Sequence, residues 1–341
     1  MKNINYILLL LIIFSALTCN KHESVPPICS PKEIIEKEID SVCYNFPVSD
    51  DPMITYITYN RFQYHFPNFN PNNANEFVYY YRDLMNNVNK IIKYNIGADL
   101  KTELTNLNAL TQIKWSRKGW IAFDRTHQIY IIKDNGDSLK QFTSQKANLY
   151  PVWDATGDNL YWNHSLQLGY PYYLFKKGLY GSIVDTLAPN ANSIFGYTQY
   201  NDVSINNTLL TRASETLAYT NIDSFSLKHL MNLEQHNISG VSGISWANNS
   251  QTAYFTVVGG LDRGIYKIDI NTNNYTRIME FCDSKYYTRI SCSPDGKKLI
   301  GERIDSYQLG VGTGYVETVN SSSIYIIDLL TLEEKKIELE Q

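Results

Sequence analysis

The sequence predicts an all-β chain folded as a six-bladed β-propeller of four-stranded antiparallel blades. Three observations predict it. A strand, polar turn, apolar strand, Ile-Tyr-type strand pattern recurs six times. Its bulky marker positions, Phe69, Trp115, Trp153, Ile205, Trp246 and Cys292, are 46, 38, 52, 41 and 46 residues apart, close to the length of one blade. Runs such as FVYYY, WIAFD and AYFTVV are apolar on both pleat faces, which suits strands sandwiched between neighbouring blades. A single blade cannot bury both of its faces, so several must stack and close.

The clearest copies are KWSRKGWIAFD with QIYIIKDNGDSLKQFT (114–143) and SCSPDGKKLIGERID with SIYIIDLLTLEEKKIEL (291–339). SWANNSQTAYFTVV with GIYKIDINTNNYTRIM (245–279) and VWDATGDNLYWNH with YYLFKKGLYGSIVDTL (152–187) follow them, and weaker copies start at 68 and 203. Turn chemistry marks the first hairpin of four copies, where SPDG, SRKG, NPNN and DATGD supply Pro, Gly, Asn or Asp for a tight turn; in blade 4 the turn is only Asn206 and Asn207. Blades are expected to begin near 62, 112, 150, 200, 243 and 289, within a propeller spanning 53–341. ITYITYN at 54–60 is the candidate for a seventh strand set.

Ahead of the repeats, MKNINYILLLLIIFSALTC combines Lys2 with an apolar stretch, Tyr6 to Leu17, that is short for a membrane span and reads as an export signal over 1–18. ALTC at 16–19 resembles the lipobox of bacterial lipoproteins, with Ala16 and Thr18 departing from the preferred residues. That resemblance implies that Cys19 becomes the acylated N-terminus. Residues 19–52 then form a proline-punctuated tether with a short helix at most over 32–40. The remaining cysteines, Cys29, Cys43, Cys282 and Cys292, are either two local disulfides in an oxidising compartment or buried thiols.

The strand, SPDG turn and IY strand together resemble the WD40-like repeats of the TolB-type propellers. The resemblance covers about 280 residues and implies a protein-binding or scaffold module of the bacterial envelope. Some relatives of that fold are peptidase front domains and others are polysaccharide lyases that hold a metal with channel histidines.

Composition and motifs narrow the function classes. With 30 basic and 34 acidic residues, a net charge of -4 gives no basic excess for nucleic acid. HExxH, CxxC, GxSxG and P-loop patterns are missing, and GVGTG at 310–314 reads as a hairpin loop rather than a phosphate loop. No cofactor is expected. His127, His164, His236 and His65 fall where loops gather on one face; surface histidines collect in loops, and nothing in their spacing forces a metal site.

Long loops between second and third strands are expected in blade 1 (Arg82 to Asn89), blade 3 (His164 to Pro171), blade 5 (Gly259 to Gly264) and blade 6 (Asp305 to Ser322). They nominate Tyr307, Tyr315, Tyr170, Tyr172, Asp262 and Arg263 as binding-face residues. The expected function is a monomeric, lipid-anchored binding propeller presenting that face to an envelope protein, peptide or glycan. A metal-assisted lyase or hydrolase at the channel is the alternative.

Overall fold

The computed structural model describes residues 57–59, 62–144, 147–165, 172–187, 199–213, 216–222, 228–236, 238–260, 262–281, 285–311 and 315–339. The expectations for Cys19, Cys29, Cys43, Cys282, Tyr170 and the 32–40 helix lie outside them.

Six four-stranded antiparallel sheets follow one another along the chain. Blade 1 holds β2 (Phe62–Asn70), β3 (Asn73–Asp83), β4 (Val88–Asn95) and β5 (Leu100–Thr105); blade 2 holds β6 (Ile113–Trp115), β7 (Trp120–Arg125), β8 (Gln128–Lys133) and β9 (Lys140–Gln141). Blade 3 holds β10 (Asn148–Trp153), β11 (Asn159–Ser165), β12 (Tyr172–Gly178) and β13 (Val184–Thr186); blade 4 holds β14 (Gln199–Val203), β15 (Thr208–Ala213), β16 (Thr216–Asn221) and β17 (Lys228–Asn232). Blade 5 holds β18 (Ser239–Trp246), β19 (Thr252–Gly259), β20 (Gly264–Asp269) and β21 (Tyr275–Glu280), and blade 6 β22 (Lys285–Cys292), β23 (Lys298–Val311), β24 (Tyr315–Asp328) and β25 (Glu334–Lys336). The first strands of neighbouring blades touch in sequence, and β22 touches β2, so the ring closes around its axis. Among the described residues one 3-10 turn, Glu234–His236, is the helical content.

The same turn joins the first two strands in five blades. The fourth residue's N–H returns to the first residue's carbonyl in Ser116–Gly119, Asp154–Gly157, Ser204–Asn207, Ala247–Ser250 and Ser293–Gly296. That fourth residue is left-handed each time, with φ of 72°, 77°, 56°, 53° and 71°. Gly or Asn adopts this conformation cheaply, which explains why SRKG, DATG, SINN and SPDG all encode one geometry. Blade 4 is therefore regular. Its marker residue, however, is Val203, which pairs with Leu209 as Trp153 pairs with Leu160. Ile205 sits in the turn, 43% exposed, so the marker is displaced by two residues from its sequence assignment.

No seventh strand set forms from the described part of ITYITYN. Instead β1 (Ile57–Tyr59) adds in parallel to β24, with Ile57 opposite Thr318 and Tyr59 opposite Asn320, while β25 pairs with the other end of β24 at Tyr325–Ile327. Both ends of the propeller thus meet on one strand of blade 6. Tyr64, Phe69, Phe77 and Tyr79 of blade 1 pack with Ile300, Ile324, Ile326, Ile337 and Leu339 across the closing seam. Each such buried side chain contributes roughly 1.5–3 kcal/mol. Ser322 Oγ accepts from Tyr64 N at 3.2 Å and donates to Tyr64 O, and Ser291 Oγ accepts from Phe69 N at 3.2 Å.

The first strand is bulged in five of six blades, between His65/Asn68, Leu149/Val152, Gln199/Asn201, Val241/Gly243 and Tyr287/Arg289. A bulge frees backbone groups from the ladder, and buried ones need other partners. Polar residues of the second strands face these bulges: Tyr80, Asn163, Arg212, Thr256 and Glu302. In blade 2, which has no such bulge, Asp124 accepts from Thr111 N just ahead of the first strand. Several bond across a seam to the next blade. Arg212 Nη1 donates to Val241 O at 3.1 Å, Thr256 Oγ1 to Thr288 O at 3.2 Å, and Glu302 Oε2 accepts from Phe66 N at 3.2 Å. A belt of buried polar groups therefore runs between the axis and the apolar layers of the blades.

Candidate functional site

The marker residues and the first hairpin turns of all six blades converge on the axis at one face, where they line a cup of about 130 Å³. Phe69, Trp115, Trp153, Trp246 and Cys292 form its wall, and Ser116, Ser204 and Ser293 its rim. The tryptophans are wedged between blades rather than free: Trp153 Nε1 donates to Lys114 O at 3.1 Å and Trp246 Nε1 to Asp202 O at 3.2 Å. The residues just before the markers, Asn68, Lys114, Val152, Asp202, Ser245 and Ser291, also line the cup. Four of them accept a backbone N–H from the following blade: Asn68 Oδ1 from Trp115 at 2.9 Å, Asp202 Oδ2 from Trp246 at 2.8 Å, Ser245 Oγ from Cys292 at 2.9 Å, and Ser291 Oγ from Phe69 at 3.2 Å.

Across the axis, Lys114 Nζ of blade 2 meets Asp202 Oδ1 of blade 4 at 2.7 Å, with side chains 11% and 17% exposed. Cys292 carries a free thiol, pushed up to about 12 by burial and by the nearby Asp202 and Asp295 carboxylates, so it stays protonated and inert as a nucleophile.

At the opposite face stands the largest departure from the blade plan. β23 and β24 pair from Lys298–Asp328 out to Val311–Tyr315, whereas β22 accompanies β23 only as far as Asp305 among the described residues. Asp305–Val311 and Tyr315–Ser322 are thus the two paired strands of a ribbon and not the expected loop. Its alternation of Tyr, Leu and Val with polar residues sustains a ladder that the glycines of GVGTG concealed. By register, Tyr307, Leu309, Val311, Tyr315 and Val319 occupy positions sharing one face of the ribbon together with Glu317, and Ser306, Gln308, Thr318 and Asn320 share the other with Gly310 and Val316.

The other described hairpins are short. Most of Arg82 to Asn89 lies within β3 and β4, leaving a four-residue turn held by Asp83, whose Oδ1 accepts from Met85 N at 3.0 Å. Tyr172 starts β12, opposite Ser165. Asp262 is exposed and pairs with Arg277 at 3.6 Å, while Arg263 Nε donates to Gly260 O at 3.0 Å, so both shape the blade 5 turn.

The four histidines are dispersed. His127 tips the blade 2 hairpin with φ 61°. His164 is buried against Phe175 at 4.5 Å with its Nδ1 2.8 Å from Asn148 Oδ1, and burial lowers its pKa. His236 bonds Tyr275 Oη at 3.0 Å. His65 lies inside blade 1's first strand, its Nδ1 2.9 Å from Glu302 Oε1. Among the described residues no three His, Cys, Asp or Glu side chains gather as a metal cluster.

Two buried carboxylates of the polar belt are shifted in opposite directions. Burial raises Asp124 from 3.8 to about 6, against hydrogen bonds from Thr111 N (3.1 Å) and Thr111 Oγ1 (2.6 Å). Its Oδ2 has no partner. A carboxyl raised in the folded state adds stability below its ordinary pKa, and that stability is lost as pH rises through the folded value. Between pH 4 and pH 8, Asp124→Asn is expected to remove about 3 kcal/mol of this loss, read as a smaller drop in urea midpoint across that range than in the unaltered chain. Glu302 moves the other way: burial opposes ionisation, but His65 and Arg289 beside it hold the carboxylate below its ordinary pKa.

Known structures share this architecture. The chain superimposes on a TolB-type protein from Agrobacterium tumefaciens with a TM-score of 0.56 and 13% identity, covering 71% of this chain and 86% of that one. The β-propeller domain of the trilobed protease from Pyrococcus furiosus, described as an open velcro topology, gives 0.51 and 11% over 82% and 84%. An acylaminoacyl peptidase gives 0.51 and 11% over 80% of this chain and 44% of its own. No family model and no curated protein matches the sequence. At these identities the likeness is one of fold. The chain is an all-β, six-bladed propeller with the fold of TolB-type proteins.

Proposed function

We propose that this chain is a non-catalytic binding or scaffold propeller of the bacterial envelope, anchored through Cys19 and capturing a protein, peptide or glycan on the face that bears the blade 6 ribbon. One observation carries the reading. On a ring whose other described hairpins are tight, a single hairpin extends into a ribbon with two tyrosines and three aliphatic residues at positions on one face. Aromatic positions on a hydrogen-bonded ribbon lose little entropy on binding, which suits a recognition surface. The export signal and the lipobox-like ALTC support the location, and the TolB-type fold is compatible with it.

The test is capture of partners from native envelope extract by the full chain and by the double variant Tyr307→Ser/Tyr315→Ser, which keeps the backbone ladder. Capture is expected to fall at least tenfold while the unfolding midpoint stays put. Equal capture by both proteins means that the ribbon is not the binding element. A companion Cys19→Ser variant is expected in the soluble fraction, and its retention in the membrane fraction contradicts the anchor.

A further inference from the structure

The floor of the axial cup has properties that closing the ring does not demand. At the same layer of the six first strands, Asn68, Val152, Ser245 and Ser291 complete the ring without charge, whereas Lys114 and Asp202, from non-adjacent blades, carry opposite charges that meet across the cavity. Lys114 is only 11% exposed at its side chain, and Asp202 is its hydrogen-bond partner among the described residues. An ammonium has three hydrogens, so two face the cup without a protein acceptor among the described residues and are free to donate to a ligand there. Asp202 Oδ2 is engaged by Trp246 N, but Oδ1 meets only the lysine and retains accepting capacity. The cup therefore offers a donor and an acceptor side by side, 2.7 Å apart, with no net charge.

We propose that the cup binds the zwitterionic head of a short free α-amino acid, its carboxylate on Lys114 and its ammonium on Asp202. A ligand whose two charges are joined through one carbon matches adjacent opposite charges, forming a closed square of charge-assisted hydrogen bonds. A lone anion or a lone cation satisfies one partner and repels the other. Size sets the preference: an enclosed cavity of about 150 Å³ takes a benzene-sized molecule, so an open cup of about 130 Å³ holds all of glycine, alanine or serine, whereas an aromatic side chain has to leave through the polar mouth. The hydroxyls of Ser116, Ser204 and Ser293 at the rim keep its mouth polar. This site is on the face opposite the ribbon and stands independently of what the ribbon captures.

Isothermal titration of the full chain with glycine, L-alanine and L-serine tests it, with acetate, methylammonium and L-tryptophan as controls. The expected result is saturable binding of the three short zwitterions, at least tenfold weaker binding of each control, and loss of binding in Lys114→Met/Asp202→Asn. That double variant strands no buried charge, and the amide oxygen at 202 can still accept from Trp246 N, so its unfolding midpoint is expected near that of the unaltered chain. Thermal shift with 10 mM glycine gives a second reading should the double variant fail to fold: a rise for the unaltered chain that acetate and methylammonium do not reproduce. No heat and no shift with any short amino acid, equal binding of the single-charge ions, or undiminished binding by a folded double variant overturns the proposal.

Discussion

A chain ending at Leu330 is expected to lose its closed ring, with a drop in stability of about 5 kcal/mol or more. Two terms supply most of it. Ile337 and Leu339, 5% and 7% exposed, leave the seam between blades 6 and 1, at roughly 1.5–3 kcal/mol each. Strand β25 leaves the Tyr325–Ile327 edge of β24, and Lys101 Nζ loses its 2.7 Å bond to Leu339 O. Domains are stable by only about 5–15 kcal/mol, so the truncated chain sits near the threshold and exposes a bare strand edge that invites aggregation. Thermal unfolding and size-exclusion chromatography report both effects. A soluble truncated chain with an unchanged midpoint assigns closure to β1 and to the Tyr64–Ser322 contacts instead.

Glu302→Ala is expected to destabilise the protein by about 3–5 kcal/mol, because it removes the anion at the centre of the same seam and leaves buried partners behind. Glu302 is 5% exposed, accepts from Phe66 N, bonds His65, and lies beside Arg289, whose guanidinium is 5.6 Å from the Phe66 ring centre. With the carboxylate ionised, His65 Nδ1 must be the donor. Glu302→Gln keeps an acceptor for Phe66 N and is expected to cost less. A carboxyl held below its ordinary pKa supplies stability that is complete above that ordinary value and lost as pH falls through the folded one. Glu302→Ala should therefore be most harmful near neutrality, with the gap to the unaltered chain narrowing in acid. A gap that is constant with pH contradicts an ionised Glu302. Asp124 has the opposite sign, so its variant alters the profile between its ordinary pKa of 3.8 and about 6 in the opposite direction to the loss that Glu302 brings at lower pH.

The six blades were legible because their signals are local. A left-handed fourth turn residue favours Gly or Asn, present in four of the five turns with Ser250 in the fifth, and strands buried on both faces leave unbroken apolar runs such as Trp120–Phe123. Blade 4 misled by two residues because Ile205 is as bulky as a core residue yet stands in the turn, while Val203 does the packing. The polar belt was hidden in plain apolar runs: Asp124 closes WIAFD and Glu302 interrupts LIGER, and one polar letter does not announce which backbone group of another segment it will meet. The ribbon was misread as a loop because GVGTG outweighed the alternation on either side of it. Nothing local could have joined Lys114 to Asp202, which are 88 residues apart in sequence and meet only because the ring closes.

Site-specific photo-cross-linking in the native envelope addresses the binding reading most directly. A photoreactive residue is placed at position 307 on the ribbon, and in a second protein at position 205, the exposed turn position beside the cup on the opposite face. Discrete macromolecular adducts from position 307 and none from position 205 are the result that a ribbon-bearing binding face predicts. Adducts from position 205 alone, or from neither position, contradict it.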